Sequence, residues 1–507
     1  MSDLNLRRWL PRTGWPAPSA QVALAIGALA VGVLMARLPL EWAAIGLLVV
    51  VLAILTLIDP LAGLCAALIL GPTKPLTDHF VPDLPFDFGQ MALLATLGVW
   101  LLHMARRRTM RPPTSPLNLP LLAFIGVAAL SLLNALSLGY GLKELIKWVQ
   151  MLLVMWLVTE RGKKGRWLIV LGALLFAGAT EAGIGIWQSV LRGEGPEHFL
   201  ITAGSDFYRA YGTFEQPNPY GGYLGLLTPL SAGLLLVALE KWGAPLWAMA
   251  EERHLLRVWQ VAKTALNMRL AHLVGLAALS LLLLAALLLS WSRGAWLGFA
   301  AAALAMLMAW PRRTGAGLAL AFGSVVAGVL MLRSNLIPAG IAARLTEFIS
   351  SFQSFDVRGV NISPFNYALI ERLAHWQAAQ EMSRYHFWLG VGIGNYEPVY
   401  PAYALINWPF ALGHAHNIYL NILAETGIIG LLAYAALWIG VLWHTWRVTR
   451  TTTGWQRGVA IGLFGSWAHL SIHHVVDNLY VANIHLAIGA LLGVLNILIL
   501  TGGDKSA

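Results

Sequence analysis

Apolar residues run along this chain in long blocks, and few of these blocks carry the regular polar stripe of a water-soluble helix. Blocks of about 17 to 22 residues recur, the length that an α-helix needs to cross roughly 30 Å of hydrocarbon. They begin near Ala20, Trp42, Leu61, Gln90, Leu117, Leu145, Trp167, Gly221, Ala271, Ala295, Gly315, Ile418, Val459 and Val481. The pattern predicts an all-α, polytopic membrane protein of roughly 12 to 14 transmembrane helices.

Composition and charge exclude several functional classes. Of 507 residues, 58% are hydrophobic and only 11% are charged, which leaves too little polar surface for a soluble domain. The single cysteine, Cys65, rules out a disulfide framework or a thiolate cluster within the chain. The net charge of +10 comes from short basic clusters between apolar blocks, which indicates membrane topology, so we expect membrane lipids and no nucleic acid as partners.

The basic clusters orient the chain. If the N-terminus is cytoplasmic, every basic loop falls on the cytoplasmic side, as the positive-inside rule requires. A long external segment then remains before the block at Ile418, and Leu369, Leu373 and Trp376 recur in it at helical spacing. The expected organisation is a cytoplasmic N-terminus 1–19, a helix bundle 20–333 with a cytoplasmic loop 241–270, a large external helical loop 334–413, C-terminal helices 414–501 and a cytoplasmic tail 502–507.

Two arginines on the expected external side are candidates for phosphate binding. Arg293 lies in a tight turn between two very apolar blocks, where positive charge is disfavoured. It could snorkel to lipid headgroups, or its guanidinium could act as a bidentate hydrogen-bond donor to a phosphate. Arg372, with Trp376 one helical turn on, could equally belong to a solvated helix face.

A polar stretch opens the block at Ile418 and holds the candidate base, His416. Projected at about 100° per residue, His416 shares a helix face with Leu420 and Gly427, beside a stripe of three polar residues. That stripe consists of Asn417, Asn421 and Glu425. Polar groups inside a membrane helix often mark a cavity, although a packing helix that satisfies them through its neighbours is the alternative. His414 points elsewhere if both histidines are helical.

A metal site is the competing interpretation of the histidines. His414, His416, His473, His474 and Asp477 all lie at expected external ends of helices. A zinc site would need three or four of them to converge, and their spacings match no specific motif, so we predict no metal and no cofactor. The external segment from Arg209 to Tyr220 is rich in aromatic residues and proline, and could line a sugar-binding groove.

These residues resemble the O-antigen ligase and O-antigen polymerase superfamily. Its pattern of His, then Asn, Ser or Gln, nine residues and Gly-x-x-Gly is met at His416-Asn417, Gly427 and Gly430. Ser292-Arg293-Gly294 resembles the arginine turn of the family, and Arg372 with Trp376 its Arg-x-x-x-Trp helix. Further similar elements are Leu389–Tyr396, Tyr211–Asn218 and His474–Asn478.

The resemblance implies a GT-C-like glycosyltransferase of the bacterial inner membrane with a periplasmic active site. Its donor would be a polysaccharide linked to undecaprenyl diphosphate, and its acceptor lipid A core or another glycan. His416 would act as the base, Arg293 and Arg372 would bind the diphosphate, and the reaction would be inverting and metal-independent. The expected supporting or glycan-binding residues are Arg209, His414, Asn417, Asn421, Glu425, Trp376 and Asp477.

Three alternatives remain open at the level of sequence. The chain could polymerise the lipid-linked glycan, or it could transfer the glycan to protein. A transporter or flippase for lipid-linked sugars would also use polar residues within membrane helices. That last class gives no reason for arginines and a histidine gathered at the external interface.

Overall fold

The computed structural model confirms an all-α protein. It describes residues 22, 32, 39–80, 86–201, 207–251, 267–334, 336–337, 340, 356–363 and 366–503. Within those ranges there is no β-strand, and Leu200 and Tyr208 form an isolated β-bridge. The predicted block near Ala20 lies almost entirely outside the described residues, as does much of the long segment before Asp356.

The α-helices follow the predicted apolar blocks closely. We number them in chain order as α1 Leu40–Ile58, α2 Pro60–Leu70, α3 Lys74–Phe80, α4 Phe88–Arg106, α5 Asn118–Ser131, α6 Leu138–Arg161, α7 Trp167–Ile186, α8 Pro217–Glu251, α9 Asn267–Leu289, α10 Arg293–Ala309, α11 Thr314–Arg333, α12 Tyr367–Tyr385, α13 Tyr396–Val399, α14 Ile418–Thr451, α15 Gly454–His473 and α16 Ile484–Gly503.

Seven helices in the described part of the chain are long and apolar enough to cross a membrane. They are Phe88–Arg106, Trp167–Leu191, Pro217–Lys241, Arg269–Leu289, Thr314–Arg333, Ile418–Thr451 and Ile484–Gly502. Shorter apolar helices lie at Gly46–Ile58, Asn118–Asn134 and Arg293–Ala309. The protein is therefore a polytopic membrane protein, while the total of 12 to 14 spans stays a prediction, since blocks such as that near Leu61 form helices of only 11 residues.

The core of the bundle is built around α8, α15 and α16. Helix α15 packs against α8 and α10, α16 packs against α6, and α14 packs against α5 and α15. The apolar side chains of these helices form one continuous buried cluster. Helix α11 instead contacts chiefly α10 and keeps most of its apolar side chains exposed, as expected for a helix at the lipid-facing edge.

Helix α14 is interrupted at Gly427, which the sequence projection treated as helical. Its φ of 66° is in the left-handed region, and a Cβ there would collide with the backbone of Trp388. The loop before α13 fits into this break, where the Ile428 amide donates to the Phe387 carbonyl at 2.8 Å and the Val391 amide to the Ala424 carbonyl at 2.9 Å. The close backbone approach at Gly427 is thus made by a loop.

Candidate active site

Three arginines from separate parts of the chain line one small cavity. Arg209 precedes α8, Arg293 opens α10 and Arg372 lies on α12. The cavity has a volume of about 70 Å³. Three guanidinium groups around this space suit an anionic group such as a phosphate. Its other lining residues are Asn218, Trp291, Ser292, Gly294, Ala368, Leu369, His473, Val476 and Asp477.

The N-terminus of α10 forms one wall of this arginine cavity. Ser292 caps the helix, and its hydroxyl accepts a hydrogen bond from the Ala295 amide at 3.4 Å. The first turn packs against α15 so closely that a Cβ on Gly294 would clash with the His473 ring. Because a helix N-terminus carries partial positive charge, it adds to the guanidinium groups around the same space.

Arg209 is held in place by neighbouring groups. Its Nε donates to the Ser290 carbonyl at 3.0 Å, and its Nη2 donates to Oδ1 of Asn218 at 3.1 Å. Ser290 immediately precedes the turn that leads into α10, so Arg209 links the α8 and α10 entries. This arginine positions the cavity wall as well as contributing charge to it.

His416 lies outside α14, so its predicted place on a helix face with Leu420 and Gly427 is wrong. The helix begins at Ile418, and Asn417 is its N-cap, with Oδ1 accepting from the amides of Tyr419 at 3.0 Å and Leu420 at 3.1 Å. The φ of His416 is 50°, a left-handed conformation that is unfavourable for a residue with a Cβ. Such strain is often found at functional sites.

The imidazole of His416 pairs with Asp477 across 61 residues of sequence. Nδ1 of His416 lies 3.3 Å from Oδ1 of Asp477, whose side chain is buried. Burial raises the pKa of Asp477, but the hydrogen bond from His416 and the positive charges nearby outweigh it and hold this pKa well below its usual range. An ionised Asp477 favours the proton on Nδ1, and Nε2, which is buried and has no hydrogen-bond partner within the described ranges, then carries the lone pair.

Two neighbours hold the His416 backbone. Nε1 of Trp376 donates to the His416 carbonyl at 3.4 Å, and Nδ1 of His414 accepts from the His416 amide at 3.1 Å. Burial, and after it the charge of His416, lowers the pKa of His414 to about 3, so this ring stays neutral and able to accept. Trp376 and His414 therefore constrain the strained backbone of His416.

The side-chain oxygens of Asn421 and Glu425 accept hydrogen bonds from backbone amides. Oδ1 of Asn421 accepts from the Ala415 amide at 3.0 Å, and Oε1 of Glu425 accepts from the Tyr396 amide at 3.1 Å. Both side chains are buried. Their contacts fix the loop before α14 and the loop before α13, which corresponds to the packing alternative that the sequence left open.

A second and larger cavity adjoins the first. It holds about 800 Å³ and is lined by His416 and His414 together with residues from α3 and from the segments before α8 and α16. Asn218 and Asp477 line both cavities, so the two spaces meet at these side chains. Its other lining residues are Lys74, Pro75, Asp78, His79, Phe214, Glu215, Gln216, Pro219, Leu412, Asn478, Val481 and Ala482.

Three of the five groups weighed as metal ligands do converge. His414, His416 and Asp477 offer ligand atoms that all lie within 4.8 Å of one another. Zinc would take nitrogen and oxygen ligands of this kind at about 2.0 to 2.2 Å. Here Nδ1 of His416 bonds Asp477 directly and Nδ1 of His414 accepts a backbone amide. The cluster as it stands is therefore a hydrogen-bonded pair with a supporting histidine.

Sequence reasoning identified the main components of this site but missed several connections. Arg293, Arg372 and His416 are brought to adjoining cavities, as are Arg209, His414 and Asp477. The role of Asn218 at the junction was missed, although it lies in the segment expected to line a sugar groove. The contribution of α3 was also missed, because Lys74, Asp78 and His79 carry no signal beyond a short polar stretch.

One comparison with known proteins bears on this region. Residues 278–435 match the family described as O-antigen ligase, a segment that contains Arg293, Arg372 and His416. The match confirms the resemblance inferred from the motifs. No curated protein has a sequence that matches this chain.

Proposed function

We propose that this chain transfers a glycan from undecaprenyl diphosphate to an acceptor hydroxyl, because residues 278–435 match the family described as O-antigen ligase. The expected acceptor is lipid A core, at the periplasmic face of the bacterial inner membrane. The family supports ligation or polymerisation of lipid-linked glycans in general, and the choice of donor, acceptor and side of the membrane is our proposal.

The position of Asp477 is the observation that carries the proposal. This carboxylate lines the arginine cavity and also bonds Nδ1 of His416 at 3.3 Å. The arginines are suited to binding diphosphate and His416 is suited to removing a proton, and Asp477 contacts both of their surroundings. Transfer from a glycosyl diphosphate needs both, since the leaving group must be stabilised while the attacking hydroxyl loses its proton.

In the proposed step, Arg293 and Arg372 hold the diphosphate with the N-terminus of α10. The acceptor oxygen attacks the anomeric carbon on the face opposite the diphosphate, and its proton passes to Nε2 of His416. The bond between the anomeric carbon and the phosphate oxygen breaks, and undecaprenyl diphosphate leaves with the electron pair. Ionised Asp477 stabilises the imidazolium. Because the acceptor attacks opposite the diphosphate in a single displacement, the proposed reaction inverts the anomeric configuration, and it uses no metal.

The lipid tail has to stay in the bilayer while its diphosphate reaches the arginine cavity. The proposal therefore includes a lateral opening between helices close to Arg293. Trp291 and Trp296 flank this end of α10, with ring centroids 5.3 Å apart, as is typical of residues at a membrane interface. Acceptor and growing glycan would approach from the aqueous side.

A transfer assay tests the proposed reaction. The purified protein is given undecaprenyl diphosphate-linked glycan and lipid A core in EDTA without nucleotide, and products are read by gel and mass spectrometry. We expect transfer by the wild type and a loss of about 10²- to 10⁴-fold in folded His416→Ala. Full activity in that variant would remove His416 as the base, and activity abolished by EDTA and restored by zinc would favour the metal alternative.

The acceptor that gains sugar separates the remaining functions. Extension of the lipid-linked glycan itself would identify a polymerase, and modification of a protein would identify an oligosaccharyltransferase. Movement of lipid-linked glycan between leaflets without covalent change would identify a flippase. A ligase is proposed first because the matched family is described as O-antigen ligase.

A further inference from the structure

The larger cavity differs from the arginine cavity in the sign of its charge. Its charged lining side chains are Lys74, Asp78, Glu215 and Asp477, with histidines beside them. Lys74 is already paired with Asp78 at 2.5 Å, and His79 lies 3.8 Å from Glu215. We call this space the acid-lined cavity. Its carboxylates outnumber its lysine, whereas the arginine cavity combines three guanidinium groups with Asp477.

The position of His416 decides which reactant enters the acid-lined cavity. A base must lie within hydrogen-bond reach of the hydroxyl that it deprotonates. His416 lines the acid-lined cavity and is not among the residues that line the arginine cavity. If the diphosphate lies among the arginines, the first donor sugar lies at the junction of Asn218 and Asp477. Because an inverting attack is opposite the leaving group, the acceptor must then approach that sugar from the side of the acid-lined cavity.

From this arrangement we infer that the acid-lined cavity is the acceptor subsite, and that it takes an uncharged sugar. This inference rests on the proposed function. The volume of about 800 Å³ has room for a small oligosaccharide end. Carboxylates and the amides of Gln216 and Asn478 suit sugar hydroxyls as hydrogen-bond partners, while a phosphate or carboxylate on the acceptor sugar would meet like charge.

Local structure fixes the carboxylates of this subsite. Glu215 has a φ of 53°, in the left-handed region, and it ends the short 3₁₀ helix Gly212–Phe214. The Thr213 hydroxyl in that helix lies 2.6 Å from Oε1 of the buried Glu181 and 3.1 Å from the Pro72 carbonyl, which joins it to the segment preceding α3. Asp78 on α3 and Glu215 are thereby presented to the same cavity.

Steady-state kinetics with the full-length protein form the first test. We expect Asp78→Asn combined with Glu215→Gln to raise the KM for lipid A core at least tenfold and to leave the KM for the lipid-linked donor within about twofold. The control Glu240→Gln, whose carboxylate lies on α8 beside Arg457, should change neither. An unchanged acceptor KM, or a rise in the donor KM alone, would overturn the assignment.

A binding test without catalysis separates this inference from the proposed function. Gln216→Cys is made with Cys65→Ala and His416→Ala, and its labelling by a maleimide is followed with glycan released from lipid A core. We expect this glycan to slow labelling at least fivefold, and undecaprenyl diphosphate to leave it unchanged. Thr109→Cys, at an exposed position, is the control. Protection by the lipid diphosphate and not by the glycan would contradict the inference, whatever the transfer assay shows.

A further labelling experiment tests the preference of the acid-lined cavity for an uncharged sugar. The same glycan, with its primary hydroxyls oxidised to carboxylates, should protect Gln216→Cys at least tenfold more weakly than the unoxidised form. In the Asp78→Asn and Glu215→Gln background that difference should fall to within about twofold. Equal protection by both forms in the native background would refute the preference for an uncharged sugar.

Discussion

Two arginine clusters lie at opposite ends of α10, and their surroundings differ. At one end Arg209, Arg293 and Arg372 line a cavity. At the other end Arg312, Arg450 and Arg457 donate to main-chain carbonyls of neighbouring helix ends. We call them the cavity cluster and the carbonyl-bound cluster. Arg312 and Arg457 also line a space, of about 550 Å³. The comparison teaches that neither arginines nor a neighbouring space is enough to mark a site, and that the cavity cluster differs by adjoining the His416–Asp477 pair.

The carbonyl-bound cluster ties two loops together. Arg312 donates to the carbonyls of Arg450 at 2.8 Å and Thr452 at 3.0 Å, and Arg450 in return donates to those of Pro311 and Arg312. Buried Arg457 donates to the Thr449 and Trp310 carbonyls. These bonds satisfy carbonyls at the ends of α10 and α14, which would otherwise lack partners. We infer that this cluster stabilises the fold.

Each cluster also contains a carboxylate with a different task. Glu240 lies 3.7 Å from Arg457 and accepts from Nε1 of Trp310 at 2.6 Å, so it serves the packing of that end. Asp477 bonds His416 instead.

Asp477→Asn should have the largest effect. A neutral amide at this position cannot stabilise an imidazolium on His416, and turnover should fall by about 10²- to 10⁴-fold. Binding of undecaprenyl diphosphate should be unchanged or tighter, because a negative charge has left the arginine cavity. Turnover and equilibrium binding measured on one preparation would check this, and weakened donor binding with normal turnover would contradict it.

Arg293→Lys should lower turnover by about 10²- to 10³-fold. Lysine keeps the charge but loses the bidentate hydrogen-bonding geometry that matches a phosphate. The thermal unfolding midpoint should stay within the error of the wild type, because lysine keeps the positive charge and most of the length of the side chain. Arg313→Lys, at an exposed position beside the other cluster, is the matched control. Wild-type turnover in Arg293→Lys would exclude direct phosphate contact.

Arg457→Lys should affect stability and leave chemistry intact. An ammonium cannot reach the Thr449 and Trp310 carbonyls together, so buried carbonyls lose partners at a cost of about 2 to 3 kcal/mol in the free energy of unfolding. Denaturation followed by tryptophan fluorescence would measure the change, and turnover per folded molecule should match the wild type. Normal stability with reduced turnover would reverse the roles assigned to the clusters.

Trp376→Phe should have the smallest effect, about three- to tenfold in turnover. Phenylalanine keeps most of the packing on α12 but loses the donor to the His416 carbonyl, a bond of about 0.5 to 1.5 kcal/mol. Donor binding should not change. A loss as large as that of His416→Ala would mean that Trp376 touches substrate directly.

The sequence predicted the helices well because apolar blocks of membrane length are a strong local signal, as the agreement of Trp167 and Ile418 with helix starts shows. It also selected Arg293, Arg372 and His416, since charges are costly in such surroundings. The sequence did not predict the features that depend on contacts between residues far apart in the chain. Asp477 lies 61 residues from His416, and the left-handed φ of His416 follows from the Asn417 cap and the Trp376 contact.

Donor binding and turnover measured side by side test the central claim most directly. Undecaprenyl diphosphate-linked glycan is titrated into the wild type, His416→Ala and Arg293→Gln, and a single turnover with excess acceptor is then started in EDTA. The account predicts that His416→Ala binds the donor as the wild type does without transferring it, and that Arg293→Gln binds it at least tenfold more weakly. Normal donor binding in Arg293→Gln, or normal transfer in His416→Ala, would contradict the account.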